Sequence, residues 1–260
     1  MRIIKSFLNR ILGVIPLNIL ARIENKVQSL LGKGSGSETT ENEAKFALKL
    51  LNINKNDSAI ALDIGANVGN WTASILKNAP LSRIFLFEPS KSAYEKLKIR
   101  FSNMEQIITL NNYALGSELK NALLFTDEFG SGLASLTKRK LDHFGISFEK
   151  SENVRVQTLN SWYEEFKVVP SIIKIDVEGN ELDVLKGASD FLKDVKVIQF
   201  EFGGSNIDSK TFFKDYWYFF KEKDFYLLRL AGSKLIEIKE YKEQDETFKV
   251  TNYFAVNRKN

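Results

Sequence analysis

Two short stretches of this chain gather the residue types that chemistry needs. The first is Asp63-Ile64-Gly65-Ala66-Asn67-Val68-Gly69, an apolar run that ends on an acid and opens into a bend with two glycines. Glycine lets backbone approach a ligand that a side chain would hold off, and a helix starting near Val68 would offer free N–H groups there. The second is Ile175-Asp176-Val177-Glu178-Gly179, with two carboxylates one residue apart at the end of another apolar run. Glu88 follows the run 83–87, and Glu201 lies near the end of 195–202. Carboxylates at strand ends can accept hydrogen bonds from hydroxyls, take up a proton or bind a hard cation.

The spacing of the bend narrows the choice of ligand. Gly65-x-x-x-Gly69 is not the G-x-G-x-x-G turn that cradles a dinucleotide pyrophosphate. Asp63, just before the first glycine, would repel phosphate and favour a cation. S-adenosylmethionine, with its sulfonium and α-ammonium, suits such a turn. Asp63, Gly65, Asn67 and Gly69 are then cofactor-binding candidates, with Glu88 placed to accept hydrogen bonds from ribose hydroxyls. Asn112, in Asn111-Asn112-Tyr113-Ala114-Leu115-Gly116, either reads an adenine edge or serves as a turn residue. Two rivals stand beside this reading: a nicotinamide-dependent oxidoreductase using Glu88 on the ribose, and a non-catalytic binding protein on the same fold.

For catalysis the candidates are Asp176, as base or metal ligand, with Glu178 and Glu201 as helpers; alternatively the acids only hold the turn. Asp176 and Glu201 would suit Mg²⁺, an oxygen-loving ion. The chain has no cysteine and one histidine, His143, which excludes thiolate chemistry and multi-histidine metal sites. The basic run Lys138-Arg139-Lys140 reads as a solvated charged face.

The elements that must position these residues alternate. Apolar runs at 60–64, 83–87, 107–110, 172–176 and 195–202 predict strands, and 68–78, 90–101, 181–187 and 210–223 predict helices. Segments 226–230 and 252–256 supply a closing antiparallel pair. The expected fold is α/β and Rossmann-like, a mostly parallel seven-stranded sheet with its ligand edge at the strand carboxyl ends. Residues 117–160 break the alternation and predict an insertion over that edge, a lid or acceptor-recognition element. The aromatics of 212–226 are mostly core, with an acceptor wall as the other reading.

On these motifs the sequence resembles the FkbM family of methyltransferases over roughly residues 59–256. The resemblance rests on the 63–69 turn, Glu88-Pro89, residues 112–116 and 156–159, and above all Ile175-Asp176-Val177-Glu178-Gly179 with Val184-Leu185-Lys186-Gly187. It implies a class I methyltransferase fold, S-adenosylmethionine as cofactor, and O-methylation of a sugar, glycan or related natural product. Asn160 departs from the family's usual Asp after the Thr-Leu pair.

The amino-terminal part stands apart. Of 37 Lys and Arg and 33 Asp and Glu, six cations and one anion fall in residues 1–33, so the rest is within one charge of neutral. A nucleic-acid partner is therefore not expected. Apolar residues at 3, 4, 7, 8, 11, 12, 14 and 15 alternate with Arg2, Lys5 and Arg10, and a second such stretch follows Pro16. This basic amphipathic arm, 1–33, fits peripheral contact with an anionic membrane through residues 1–31, docking on a partner, or a flap packed on the chain's own core. A linker and lead-in helix, 34–57, would join it to a methyltransferase domain, 58–260. The expected location is cytoplasmic, with the arm at the inner membrane face in the first case. Oligomeric state is not legible.

Overall fold

The computed structural model describes residues 15–34 and 39–259; the arm before Ile15 and positions 35–38 of the expected linker lie outside them. In chain order, α1 (Leu17–Leu30) and α2 (Thr40–Leu50) precede β1 (Ile60–Ile64), α3 (Asn70–Asn78), β2 (Arg83–Phe87), α4 (Lys91–Arg100) and β3 (Ile108–Asn111). Three strands follow: β4 (Ala114–Leu115), β5 (Lys120–Thr126) and β6 (Lys150–Gln157). Then come α5 (Leu159–Phe166), β7 (Ile172–Ile175), α6 (Glu181–Lys186), β8 (Val197–Phe202), α7 (Ser205–Ser209) and α8 (Phe213–Glu222). The chain ends with β9 (Phe225–Ala231), β10 (Lys234–Ile238) and β11 (Thr251–Asn257).

One sheet has the order β10-β9-β11-β8-β7-β1-β2-β3. Its pairs β8/β7, β7/β1, β1/β2 and β2/β3 are parallel, and β11 enters antiparallel between β8 and β9. All seven expected strands are present, and β10 makes an eighth. It returns from β9 through Gly232-Ser233, a two-residue hairpin whose glycine has φ 59°. Side chains alternate between two cores, as strand geometry requires. Leu62, Ile64, Phe85 and Phe87 face α5 and the aromatics of α8, while Ala61, Ile84 and Leu86 face Trp71 and Ile75 of α3. Both faces are covered, which is why the central strands read as mostly apolar runs, interrupted by Asp63, Lys174, Gln199 and Glu201.

The lead-in helix α2 belongs to this body. Its Glu43 is buried and accepts hydrogen bonds from Gln199 (2.9 Å) and Asn252 (2.9 Å), and Gln199 accepts one from Trp71 (3.0 Å). By contrast α1 buries none of its side chains; it is held at its carboxyl end and, midway, by Lys249 on Asn25. Leu31 O accepts from Arg229 Nε at 2.8 Å, and the Gly34 N–H donates to Thr251 Oγ1 at 2.9 Å. No helix among the described residues is long and apolar enough to cross a membrane.

The region expected as an insertion folds into a second sheet, β4-β6-β5, parallel on one side and antiparallel on the other. Its irregular stretch 127–149 leaves β5 and returns over the carboxyl ends of the main strands. A bridge between Phe125 and Ser135 pins the return. Of the α8 aromatics, Phe213, Tyr216 and Phe220 are core: Tyr216 and Phe220 stack on Phe200, and Phe213 meets Phe202 and Tyr253, while Phe212 and Tyr218 are exposed.

Candidate active site

Two turns at the carboxyl ends of neighbouring strands meet here. After β1 the chain turns through Gly65 (φ 78°), Asn67 (φ 47°) and Gly69 (φ 78°). A Cβ on Gly65 would lie 1.8 Å from the carbonyl oxygen of Asp176, so only glycine lets this bend touch the turn after β7. Gly69 caps α3 and packs against Leu97 and Phe101. After β7 the chain passes through Asp176, Glu178 (φ 55°) and Gly179. Two non-glycine residues in the left-handed region, Asn67 and Glu178, thus face one cavity, a place where backbone strain gathers at working sites.

That cavity is bounded by Ile64, Gly65 and Asn67, then Phe87, Glu88 and Pro89, then Tyr113 and Leu115. Asp176, Glu178 and Asn180 form the opposite wall, and Ser131, Gly132, Ala134, Ser135 and Leu136 of the second sheet's loop form the roof. The roof is tied down by hydrogen bonds. Ser135 Oγ donates to Glu178 O (2.8 Å), Asn180 Nδ2 donates to Ser135 Oγ (3.1 Å), and Thr137 Oγ1 donates to Asn180 Oδ1 (3.2 Å).

Arg139 adds an ion pair. Its Nη1 stands 2.6 Å from Glu178 Oε2 and its Nε 3.6 Å from Asp208 Oδ2, with only 9% of the side chain exposed. The middle residue of the basic run therefore turns inward. Lys138 lies outside on Glu149, and His143 is exposed and away from the cavity.

Burial sets the charge state of the acids. Burial pushes Glu88 up to about 7, against N–H donors from Ser90 (2.9 Å) and Asn67 (2.8 Å) on its two oxygens. Burial and then the neighbouring Asp176 push Glu178 up to about 8, although Arg139 opposes the shift. Glu201 is raised well above the ordinary carboxylate range by burial and by Asp176, Glu178 and Glu181. Carboxylate oxygens of Asp176, Glu178 and Glu201 lie within 4.8 Å of one another, so these three acids are brought together as a set.

The remaining candidates stand behind the cavity wall. Asp63 is fully buried; its Oδ2 accepts from Thr72 Oγ1 (2.7 Å) and its Oδ1 lies 3.4 Å from Lys174 Nζ. Its charge is met by Lys174 instead of facing the cavity, as the sequence suggested it would. Lys174 also reaches Asp176 Oδ2 (3.3 Å) and Gly65 O (3.2 Å). Burial works against its charge, yet Asp176, Asp63 and Glu43 together hold its pKa above the ordinary value. Asn112 donates to the carbonyls of Glu88 (2.9 Å) and Pro89 (3.1 Å), the turn-residue alternative.

Sequence reasoning passed over Glu181. Its Oε1 accepts from the N–H groups of Val177 and Gly179, both at 3.0 Å, and burial pushes it up to about 7. An acid three residues after Glu178, at the start of a helix, was the available signal.

Residues 63–227, well over half of the chain, match the family model described as the methyltransferase FkbM domain. A hexuronic acid methyltransferase, AglP, of Haloferax volcanii is 25% identical over 155 residues, which span 58% of this chain and 59% of that protein. A precorrin-6y C5,15-methyltransferase of Geobacter metallireducens is 12% identical, with a TM-score of 0.44 over 82% of this chain and 87% of the other. A SAM-dependent O-methyltransferase of Thermotoga maritima is 9% identical, with a TM-score of 0.40 over 83% and 64%. The family match includes the glycine bend, Glu88 and the Asp176–Gly179 turn, and on it this chain belongs to the FkbM family of methyltransferases.

Proposed function

We propose that this methyltransferase moves a methyl group from S-adenosylmethionine to a hydroxyl oxygen of a sugar, glycan or related natural product. The observation that carries the reading is the set of three carboxylates, Asp176, Glu178 and Glu201, beside a cavity that starts at the glycine bend. The cavity suits the donor. Its lining offers apolar groups (Phe87, Tyr113, Leu115) for an adenine and carboxylates (Glu88, Asp176, Glu178) for a ribose and the donor's cations. Asn67 Oδ1 is buried without a partner, an acceptor open to a ligand N–H or O–H.

In this proposal Gly65, Asn67 and Glu88 hold the cofactor, and each oxygen of Glu88 keeps a lone pair beyond its backbone bond. Gly69, Asp63 and Asn112 act from behind: Gly69 starts α3, Asp63 fixes Lys174, and Asn112 fixes the turn after Glu88. The donor supplies an electrophilic methyl when bound. Asp176, 38% exposed, receives the hydroxyl proton. Glu178, pushed up to about 8 by burial, is largely protonated near neutrality, which spares Asp176 the repulsion of a full charge beside it. The 117–160 region serves as the lid, closed by Arg139.

A Mg²⁺ on Asp176 and Glu201 is not needed in this scheme, because Lys174 and Arg139 already place two cations against the cluster. Carbohydrate as acceptor class draws its support from AglP, whose name states a hexuronic acid substrate. The nicotinamide rival loses its basis with the family assignment. The test is transfer of labelled methyl from S-adenosylmethionine to a panel of sugars, uronic acids and oligosaccharides, with Asp176→Asn as control. Label on carbon-bound hydroxyls of a sugar supports the reading; label only on nitrogen or carbon acceptors defeats it.

A further inference from the structure

We propose that α1 seats this protein on an anionic lipid surface. Ile19, Ile23, Val27 and Leu30 recur at steps of four, four and three, which lines them along one face of a helix. They are 44%, 48%, 48% and 70% exposed, and no side chain of α1 is buried. A soluble helix ordinarily turns such a stripe to its own core. This one keeps it outward, because the contacts that hold α1 are polar, at its carboxyl end and at Asn25, and cover none of the stripe.

The fixing is specific. A Cβ on Gly32 would lie 2.4 Å from Leu230 O, so the chain after α1 lies flat on β9. Arg229 grips Leu31 O, Thr251 grips the Gly34 N–H, and Lys249 Nζ reaches Asn25 Oδ1 at 2.6 Å.

Charge selects the occupant. At 100° per residue, Arg22 and Lys26 fall on one flank of the stripe, and neither has an ion-pair partner among the described residues. Upstream, Ile3, Ile4, Phe7, Leu8, Ile11 and Leu12 are interleaved with Arg2, Lys5 and Arg10, and no acid occurs before Glu24. Apolar stripes bordered by Lys and Arg lie in the headgroup region of anionic bilayers, the apolar face in the acyl boundary and the cations among the phosphates. A second copy is a poorer occupant. Pairing two stripes would bring the cationic flanks of both chains near each other, with one Glu24 apiece as counter-charge.

The test is co-sedimentation of the full chain with phosphatidylcholine vesicles and with phosphatidylcholine–phosphatidylglycerol vesicles, at low and high salt. The expected result is binding to the mixed vesicles only, weakened by salt. A cation near the surface is worth about fivefold in partitioning, so Arg22→Gln with Lys26→Gln should weaken it roughly 25-fold. Ile23→Asp with Val27→Asp should abolish it. All four side chains are exposed, and an unchanged thermal midpoint confirms that the variants fold. Equal binding to neutral vesicles, binding that both variants retain, or no binding to either vesicle overturns the proposal. So does a concentration-dependent dimer that Ile23→Asp with Val27→Asp disperses.

Discussion

Replacing Lys174 with methionine tests the electrostatic frame of the site most directly. The ammonium lies 3.4 Å from Asp63 Oδ1, 3.3 Å from Asp176 Oδ2 and 3.2 Å from Gly65 O. Asp176 is part exposed and water can solvate it, but Asp63 is fully enclosed, so the loss falls on Asp63. With an effective dielectric constant of about 20, a charge pair at this distance attracts by roughly 5 kcal/mol. Removing one member of a buried pair costs about 3–5 kcal/mol in measured cases. For a domain of this size that corresponds to a fall of roughly 6–20 °C in the thermal midpoint. The double variant Asp63→Asn, Lys174→Met removes the stranded charge and should recover most of the loss. Unfolding of the wild type, both single variants and the double variant, followed by circular dichroism, gives the cycle. If Lys174→Met shifts the midpoint by less than about 2 °C, or the double variant is no better than the single, the pairing is not what holds these strands together.

Four further outcomes follow from the same geometry. Asp176→Asn should lower kcat by about 10²- to 10⁴-fold while S-adenosylmethionine binding, measured by calorimetry, changes little; a large loss of binding instead would reassign Asp176 to the cofactor. Arg139→Gln removes a charged hydrogen bond from the roof and should weaken cofactor binding about tenfold or more, with faster proteolysis between residues 127 and 140. Glu88, Glu181 and Glu178 have folded pKa values raised to about 7, 7 and 8, so the folded chain binds more protons than the unfolded one above the ordinary carboxylate pKa. Their contribution to stability is therefore full below about pH 4.5 and lost as pH rises through 7–8. The thermal midpoint of ligand-free protein should fall between pH 6 and pH 8, and Glu178→Gln should flatten part of that slope. Finally, chelation of divalent ions by EDTA should leave methyl transfer within about twofold, and a loss restored by Mg²⁺ would move Asp176 and Glu201 to a metal site.

The parallel half of the fold was open to a sequence reader because each of its strands is covered on both sides. Val, Ile, Leu and Phe run together at 60–64, 83–87, 172–175 and 197–202, and turn residues end every run. The hairpin strand Lys234–Ile238 escaped because it is an edge, mixing lysine and glutamate with apolar residues, although Gly232-Ser233 advertised the turn. Acids at strand ends could be found, but not the directions they face. Asp63 points away from the cavity because Lys174, more than a hundred positions later, meets it there. Arg139 looked like one cation in a solvated run until the fold set Glu178 and Asp208 beside it. Partnerships made across the whole chain leave no periodic trace in it.

The contact between Gly65 and Asp176 has a mechanical meaning. The bend after β1 and the turn after β7 touch backbone to backbone, and the ammonium of Lys174 joins Gly65 O to Asp176. They move as one piece. Under the proposed function, the opening that admits substrate comes from the roof, while the floor would keep donor and base in fixed register, so loosening the lid would alter access without misaligning the reacting atoms.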